Sequence, residues 1–470
     1  MNKLAATIVI AALTTACGGP PEGARRAQRA LNAGEFDRAE QIADAELARF
    51  PKQPTLWRVK MLAALGRRDA SRAVGIYGDW KQLRGGHDTT ALRAMAKSTL
   101  WQALHTPSRN VRIAAIQTAE RLDMESMADP VSERLGDDDP AVAAAAAVAI
   151  LRWHPDAPYV ATQSLSSDDP RARAIAVEGI ARKAGSHARD DLAPLLTDRD
   201  DKVRRAAIGA LWKFASPEDI HTDVDTVVRL ARADEVGSVR AAALRALSQK
   251  DFPGALELAR ASLRDDYLGA RLAALQLLAD RGGEAASDDL NVVAAGDDLF
   301  MALRATVLLA KRGFDGNTLA VAKRALAAES WSVRAAAMNA IAQVAGKDDG
   351  LPVVRATIDD EAVHVRLSAA RALIRFGAPD EALPVLAAAL ADDSDSARVQ
   401  AAIDLIRLED ARGTTALDSL VRSPSPDTRE QAVRAMIQLR EPTDGLVAAL
   451  ADENAEVRIA AADVILTILE

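Results

Sequence analysis

Six histidines and a single cysteine are the residues of this 470-residue chain best suited to chemistry, and their spacing argues against most of it. His87, His105, His154, His187, His221 and His364 never fall three or four residues apart, the spacing that sets two imidazoles around a metal on one helix face. Asp137-Asp138-Asp139 lacks the following glycine and distal glutamate of a calcium loop. No glycine-rich phosphate loop and no G-x-S-x-G nucleophile turn is present. We therefore expect no catalytic site, no metal, no cofactor and no small-molecule substrate, and read the chain as a non-enzyme. The formal charge of −8 and the 3% aromatic content also argue against a nucleic-acid partner, which needs a basic face and stacking rings.

Cys17 has a chemical context of its own. Asn2 and Lys3 lead into an apolar run from Leu4 to Leu13, too short for a bilayer span of about 20 residues but suited to an export signal. The run ends Leu-Thr-Thr-Ala-Cys, which resembles the lipobox of bacterial lipoproteins, with Ala16 before the cut and Thr14 where that family usually has an aliphatic residue. The resemblance implies a signal peptide over 1–16 and acylation of Cys17. Gly18, where an Asp would retain the protein at the inner membrane, implies an outer-membrane lipoprotein facing the periplasm or the cell surface. Several acyl chains anchor a protein stably. The other reading is ordinary cleavage after Ala16, leaving a free thiol. Residues 17–23 are then a short linker, because the glycines and prolines of Gly18 to Gly23 cannot start a helix.

The elements that hold the rest in place come from two repeats. From residue 88 onward the chain repeats the stretch Asp-Asp-Lys-Val-Arg-Arg-Ala-Ala of 200–207 every 29 to 32 residues, with one interval of 36. Indexed on Arg204, the copies fall at 112, 143, 173, 204, 240, 271, 302, 334, 366, 398, 429 and 458, and ten of the twelve are Arg. Three residues after each index is an alanine, from Ala115 to Ala461, without exception. Seven after it, all but Ala119 are large and apolar. These offsets share one helix face, and a position that admits only alanine marks a helix crossing too close for anything larger. An aspartate precedes the index by six in seven copies: Asp137, Asp198, Asp234, Asp265, Asp360, Asp392 and Asp452.

This pattern resembles HEAT repeats of the short bacterial kind, also known from phycobilisome lyases. The resemblance implies an all-α fold: an α-solenoid, a right-handed superhelix of about twelve helical hairpins over 88–470, with the indexed helices on the concave side and an Asp–Arg ladder along the stack. Each Asp also falls where it can cap its own helix. Each first helix should resemble Ala382 to Asp392, and Gly185, Gly283, Gly313, Gly346 and Gly377 should stop the second. Twelve layers at 8 to 10 Å suggest a curved rod on the order of 100 Å long. The long interval adds residues between Ala215 and Asp225, as a projecting loop, a hinge or a tolerated insertion.

Residues 24–87 carry a different period. Ala39 and Ala73 lie 34 apart, and Gly34, Ala39 and Pro51, then Trp57, Ala73 and Tyr77, resemble the turn, small, proline and aromatic positions of tetratricopeptide repeats. Gly66 stands where a counterpart of Gly34 is sought, slightly out of step. A capping role for these hairpins fits equally well.

One column of the array is basic. Nine residues after the index come Arg121, Arg152, Arg182 and Lys213 in succession, and seven of the twelve positions are Lys or Arg. On a concave face these four form a positive stripe suited to an acidic protein segment or an anionic envelope polymer. Near a helix C-terminus, basic residues are also favoured by the dipole alone. The function that follows is a membrane-anchored, protein-binding scaffold of the cell envelope. A structural spacer is the alternative, and a lyase-type subunit a remote one.

Overall fold

The computed structural model describes residues 22–155, 158–214, 221–249, 252–283, 285–314 and 317–470. Cys17 and the export signal of 1–16 lie outside the described residues, as do 215–220 at the centre of the long interval. Every regular element among the described residues is helical, and the fold is an all-α solenoid. The chain divides into two compact units, Met1–Ser98 and Thr99–Glu470. The division falls inside one helix, α5 (Thr89–Ala103).

The first unit holds α1 (Glu22–Asn32), α2 (Phe36–Leu47), α3 (Pro54–Gly66) and α4 (Ala70–Arg84). Ala39 and Ala73, the two small positions of the 34-residue period, are fully buried. The turn after α1 needs a left-handed residue, and Gly34 supplies it with φ of 75°. Its counterpart is Arg68, 34 residues on, with φ of 62°. Gly66 has another job: it ends α3 under the Phe36 ring, where a Cβ would come within 2.3 Å of Phe36 Cε1. Tyr77 is buried and its hydroxyl accepts the backbone N–H of Asp88 at 2.8 Å.

The second unit is the array. Its indexed helices are α6 (Arg109–Arg121), α8 (Pro140–Trp153), α10 (Pro170–Ala184), α12 (Asp201–Phe214), α14 (Gly237–Leu247) and α16 (Leu268–Arg281). They continue as α18 (Leu299–Lys311), α20 (Trp331–Val344), α22 (Val363–Arg375), α24 (Asp395–Arg407), α26 (Pro426–Ala435) and α28 (Ala455–Ile468). All twelve residues of the alanine column have no exposed surface, and every residue of the column four places further on is buried. The period of the sequence is thus the period of the packing.

The first helices are less regular than expected. They are α7 (Ala128–Ser132), α9 (Pro158–Gln163), α11 (Arg189–Leu192), α13 (His221–Ala233), α15 (Ala255–Ser262) and α17 (Ala285–Ala294). After them come α19 (Thr318–Leu326), α21 (Lys347–Arg355), α23 (Pro379–Ala389), α25 (Ala411–Leu420) and α27 (Asp444–Ala448). In repeats 2, 3, 4 and 12 they shorten to four to six residues and continue as 3₁₀ turns. Pro130 and Pro194 each remove a helical N–H there. The segment expected as a helix from Ala382 to Asp392 is α23, which starts three residues earlier with Pro379 in its first turn.

Gly185, Gly283, Gly313 and Gly377 follow their helices with φ between 54° and 81°, as stops should. Gly346 does not: its φ is −64° and it opens α21 instead. Asp123 and Glu409 occupy the same left-handed place after α6 and α24.

The array also curves more than a rod. The indexed helices of repeats 1 and 3 reach each other across that of repeat 2, through Arg171 to Asn110 at 2.6 Å and Arg182 to Glu120 at 3.4 Å. The last helix, α28, then packs against the first indexed helix, α6, and Arg121 bonds Asp463 across that junction. Within this unit the solenoid returns to its own beginning, with indexed helices on the inside of the curve.

Candidate interaction surfaces

The charged residues of the array serve first to join one repeat to the next. Each rung runs from an index arginine to the aspartate six residues before the following index. Arg173 meets Asp198 at 2.8 and 2.7 Å, Arg204 meets Asp234 at 2.8 and 2.9 Å, and Arg240 meets Asp265 at 2.7 Å twice. Arg334–Asp360 and Arg429–Asp452 are likewise two-pronged, while Arg112–Asp137 and Arg366–Asp392 are single contacts at 2.9 and 3.4 Å. All seven aspartates are used. The other guanidinium nitrogen donates to two carbonyls of its own turn, as Arg204 does to Asp198 and Arg199. The five two-pronged rungs, paired, planar and nearly dry, are the strong form of the arginine–carboxylate bond.

The aspartates do not cap the helices. Each accepts the N–H two residues on, as Asp198 does from Asp200, and so shapes the turn. A second residue four before the index makes the cap: Asp139, Asp169, Asp200, Asp298, Ser394, Ser425 and Asn454 each accept an N–H of the first helical turn. The ladder also shifts protonation. Burial acts to raise the Asp198 carboxyl, but the Arg173 bonds and charge and the Asp200 N–H outweigh it and hold it below its usual 3.8. Asp265 and Asp360 are lowered first by their bonds to Arg240 and Arg334.

Two index positions are alanine, Ala143 and Ala302, and there the acceptor is missing too: Ser167 and Ala328 stand in its place. The rung is absent as a unit.

The basic column has neighbours of its own. Arg121 is bonded to Asp463, Arg152 to Asp123 at 2.9 Å, and Arg182 to Glu120 at 3.4 Å. Lys213 is exposed and also has a partner. Lys183 joins Glu120 at 3.7 Å, and burial lowers its ammonium pKa. Beneath this set, α8 is buried at ten of its fourteen positions, which explains a sequence that is half alanine. Repeats 1 to 3 thus carry the first three members of the stripe as bridges to acids of the same chain.

Four of the six histidines have local partners. His105 lies on Trp101 with centroids 4.1 Å apart and donates to its carbonyl, His187 bonds the Ala184 carbonyl, His87 stacks on Tyr77, and His364 lies against Trp331. Among the described residues no three His, Cys, Asp or Glu side chains gather as a metal site, and no helix is long and apolar enough to cross a membrane.

One buried acid was missed. Asp404 lies six residues after an index, in a column otherwise filled by Thr118 and by Ala, Gly, Leu and Val. It is 4% exposed, and Arg371 reaches it at 2.6 Å. Burial, only partly offset by Arg371 and Arg407, pushes its carboxyl upward. Its singularity within the column is the signal that could have found it.

The model of the HEAT repeats matches residues 160–248 and 319–407, which take in α10 to α14 and α19 to α24. The array contains HEAT repeats. No curated protein matches the chain. Solved structures similar to it include YibA of E. coli, 20% identical, covering 53% of this chain and 97% of YibA at a TM-score of 0.35. Kap121p, a karyopherin solved bound to the extreme C-terminus of the phosphatase Cdc14p, is 14% identical over 79% of this chain and 48% of its own, at 0.37. Kap95p, solved with RanGDP, is 16% identical over 79% and 60%, also at 0.37.

Proposed function

We propose that this chain is a non-catalytic protein-binding scaffold, held to a bacterial envelope membrane through an acylated Cys17. The observation that carries the scaffold reading is a division of labour inside each HEAT repeat. The buried columns hardly vary along the array, while the exposed turns and helix starts differ from repeat to repeat. Alanine packing and the Asp–Arg ladder make a continuous frame, and a frame with variable faces is suited to presenting a surface. The anchor rests on the apolar run from Leu4 to Leu13, on Ala16 and Cys17, and on the short linker after them. The 34-residue hairpins of the first unit, read as tetratricopeptide-like, supply either a second binding surface or an end cap.

Crosslinking in intact cells, followed by capture of the full chain and mass spectrometry, tests the scaffold. Specific proteins retained by it, and lost from a chain carrying Arg121, Arg152, Arg182 and Lys213 all changed to Glu, would assign binding to the basic column and an acidic partner. Retention by both would move the site elsewhere, and reproducible absence of any partner would favour a spacer. Labelling with an alkyne fatty acid tests the anchor: label should appear on the unmodified chain and vanish with Cys17→Ser.

A further inference from the structure

The starts of the indexed helices change character in the middle of the array. Seven repeats cap this helix with an Asp, Ser or Asn side chain; repeats 5, 6 and 9 have Val236, Tyr267 and Ala362 there, and Ser330 of repeat 8 accepts no helical N–H, as Ser108 of repeat 1 does not. One residue further on, repeats 6 to 9 carry Leu268, Leu299, Trp331 and Val363, where neighbouring repeats have proline, aspartate or glycine. Tyr267 is 44% exposed, Leu268 40% and Trp331 49%. They are three of the seven large hydrophobics that stand exposed among the described residues. Each aromatic reaches a neighbouring repeat, while Leu299, between them, packs on the core and Val363 is buried. Tyr267 lies on the start of α14, where a Cβ at Gly237 would come 2.4 Å from its own Cβ, and Trp331 rests on His364 of the next repeat at 4.8 Å.

An acidic row runs beside it. Five residues before the index, repeats 5 to 10 read Glu235, Asp266, Asp297, Glu329, Glu361 and Asp393, all exposed. Elsewhere the same position is interrupted by Pro107, Arg199 and Pro424. The ladder does not neutralise this row. Arg240 and Arg334 touch Asp266 and Glu361, but each already holds a ladder aspartate, Asp265 or Asp360, so two acids share one cation. Aromatic anchors in a rim of unmatched charge are the elements of a binding hot spot, and the sign of the rim selects the partner.

We propose that the edge from Glu235 to Glu361 is the docking surface of this scaffold, and that its occupant is a cationic, amphipathic segment of a partner protein. The proposal rests on the scaffold reading and gives the partner the opposite charge from the one the basic column suggests. Five repeats at 8 to 10 Å per layer span about 40 Å, the length of roughly 25 residues of helix.

The test uses the full chain and two fluorescein-labelled 24-residue helical peptides, one of Leu and Lys at amphipathic spacing, the other with Glu for every Lys, read by anisotropy. The Lys peptide should bind, weaken as salt is raised, and lose about tenfold or more in affinity to Tyr267→Ser with Trp331→Ser, and again to Asp297→Lys with Glu329→Lys. These residues are exposed, and circular dichroism checks that each variant keeps its helix content. No binding of the Lys peptide, equal binding of the Glu peptide, or indifference to both double variants overturns the proposal. So does sedimentation showing that the chain self-associates through Tyr267 and Trp331, since the occupant is then a second copy. Partners still captured in cells by the Tyr267→Ser, Trp331→Ser chain would leave the scaffold standing and remove only this edge.

Discussion

Helices α8 and α18 both put alanine at the index position, in surroundings that use charge in opposite directions. Around α8 the charges turn inward: Glu120 takes Arg182 and Lys183, Arg171 donates to the Asn110 amide oxygen, and the helix beneath is buried on nearly every side. Around α18 they turn outward, with Asp297 and Glu329 in solvent beside exposed Trp331. In both places donor and acceptor of the ladder are lost together, Ala143 with Ser167 and Ala302 with Ala328. A buried half-pair is costlier than no pair, so a repeat that gives up its arginine is relieved by giving up the neighbouring aspartate as well. The same hairpin thus builds a closed seam or an open edge while keeping its alanine and leucine columns.

The sharpest way to break this comparison is to make a half-pair. Arg204 and Asp234 have side chains 9% and 5% exposed. Arg204→Ala should therefore cost about 3–5 kcal/mol, by leaving Asp234 buried and unpaired. Arg271→Ala is the contrast. Its partner is Asp298 at 3.6 Å, half exposed, and the change should cost under about 1 kcal/mol. Because a solenoid does not unfold as one two-state body, the readout is amide exchange in α12 and α14 against α16 and α18. Equal losses would mean the ladder is surface decoration.

Packing should come next. Leu211 is 3% exposed in the column seven after the index, and Leu211→Ala should cost about 2–5 kcal/mol through the cavity it leaves. Arg205, two positions from the packed Ala207 and paired with Asp201 at 3.5 Å, should cost under about 0.5 kcal/mol when changed to Ala. Similar exchange rates in the two variants would put the register in error.

The register was legible because it is a local steric fact: no helix crossing of this closeness accepts more than alanine, and each repeat states that separately. The pairing of index Arg with the following Asp followed from a resemblance, and the seven aspartates are where it placed them. What was not legible falls into two kinds. Arg68, Asp123 and Glu409 take left-handed conformations that residue type predicts for glycine, because the chain around them has to turn there whatever the side chain. Closure of the array is the second kind. It accumulates from a small rotation at each of the eleven junctions between repeats, so no single residue encodes it. The basic column was visible, but its acids, Asp463, Asp123 and Glu120, are brought to it by the curvature and the turns.

Acid should separate the two regions. For Asp198, Asp265 and Asp360 the folded pKa lies below the ordinary value of 3.8. Their stabilisation is therefore complete above that value and is lost as pH falls through the lowered folded pKa. Asp404 has the opposite sign: its raised carboxyl takes up a proton more readily in the folded chain, so its contribution improves as pH falls. Exchange measured between pH 5 and pH 2.5 should show the turns before α12, α16 and α22 opening first, with α24 lagging. Asp404→Asn should abolish that lag, and a uniform collapse of all repeats would contradict the assignment.

The smallest effect on stability should have the largest effect on shape. Arg121 and Asp463 are 51% and 23% exposed, so their pair adds little to folding, yet it lies where α28 meets α6. As an end helix, α28 should leave one face open; instead it buries eight of its fourteen residues, including Ile459, Ala462 and Leu466. Asp463→Arg sets two like charges against each other at this junction, and Arg121→Glu in the same chain restores the attraction with the signs exchanged. Small-angle scattering should show a larger radius of gyration for Asp463→Arg and recovery in the double variant, at unchanged helix content. A radius that ignores both changes would mean that apolar contacts of α28 alone hold the junction, and the basic column would then lose the one member that joins the two ends of the array.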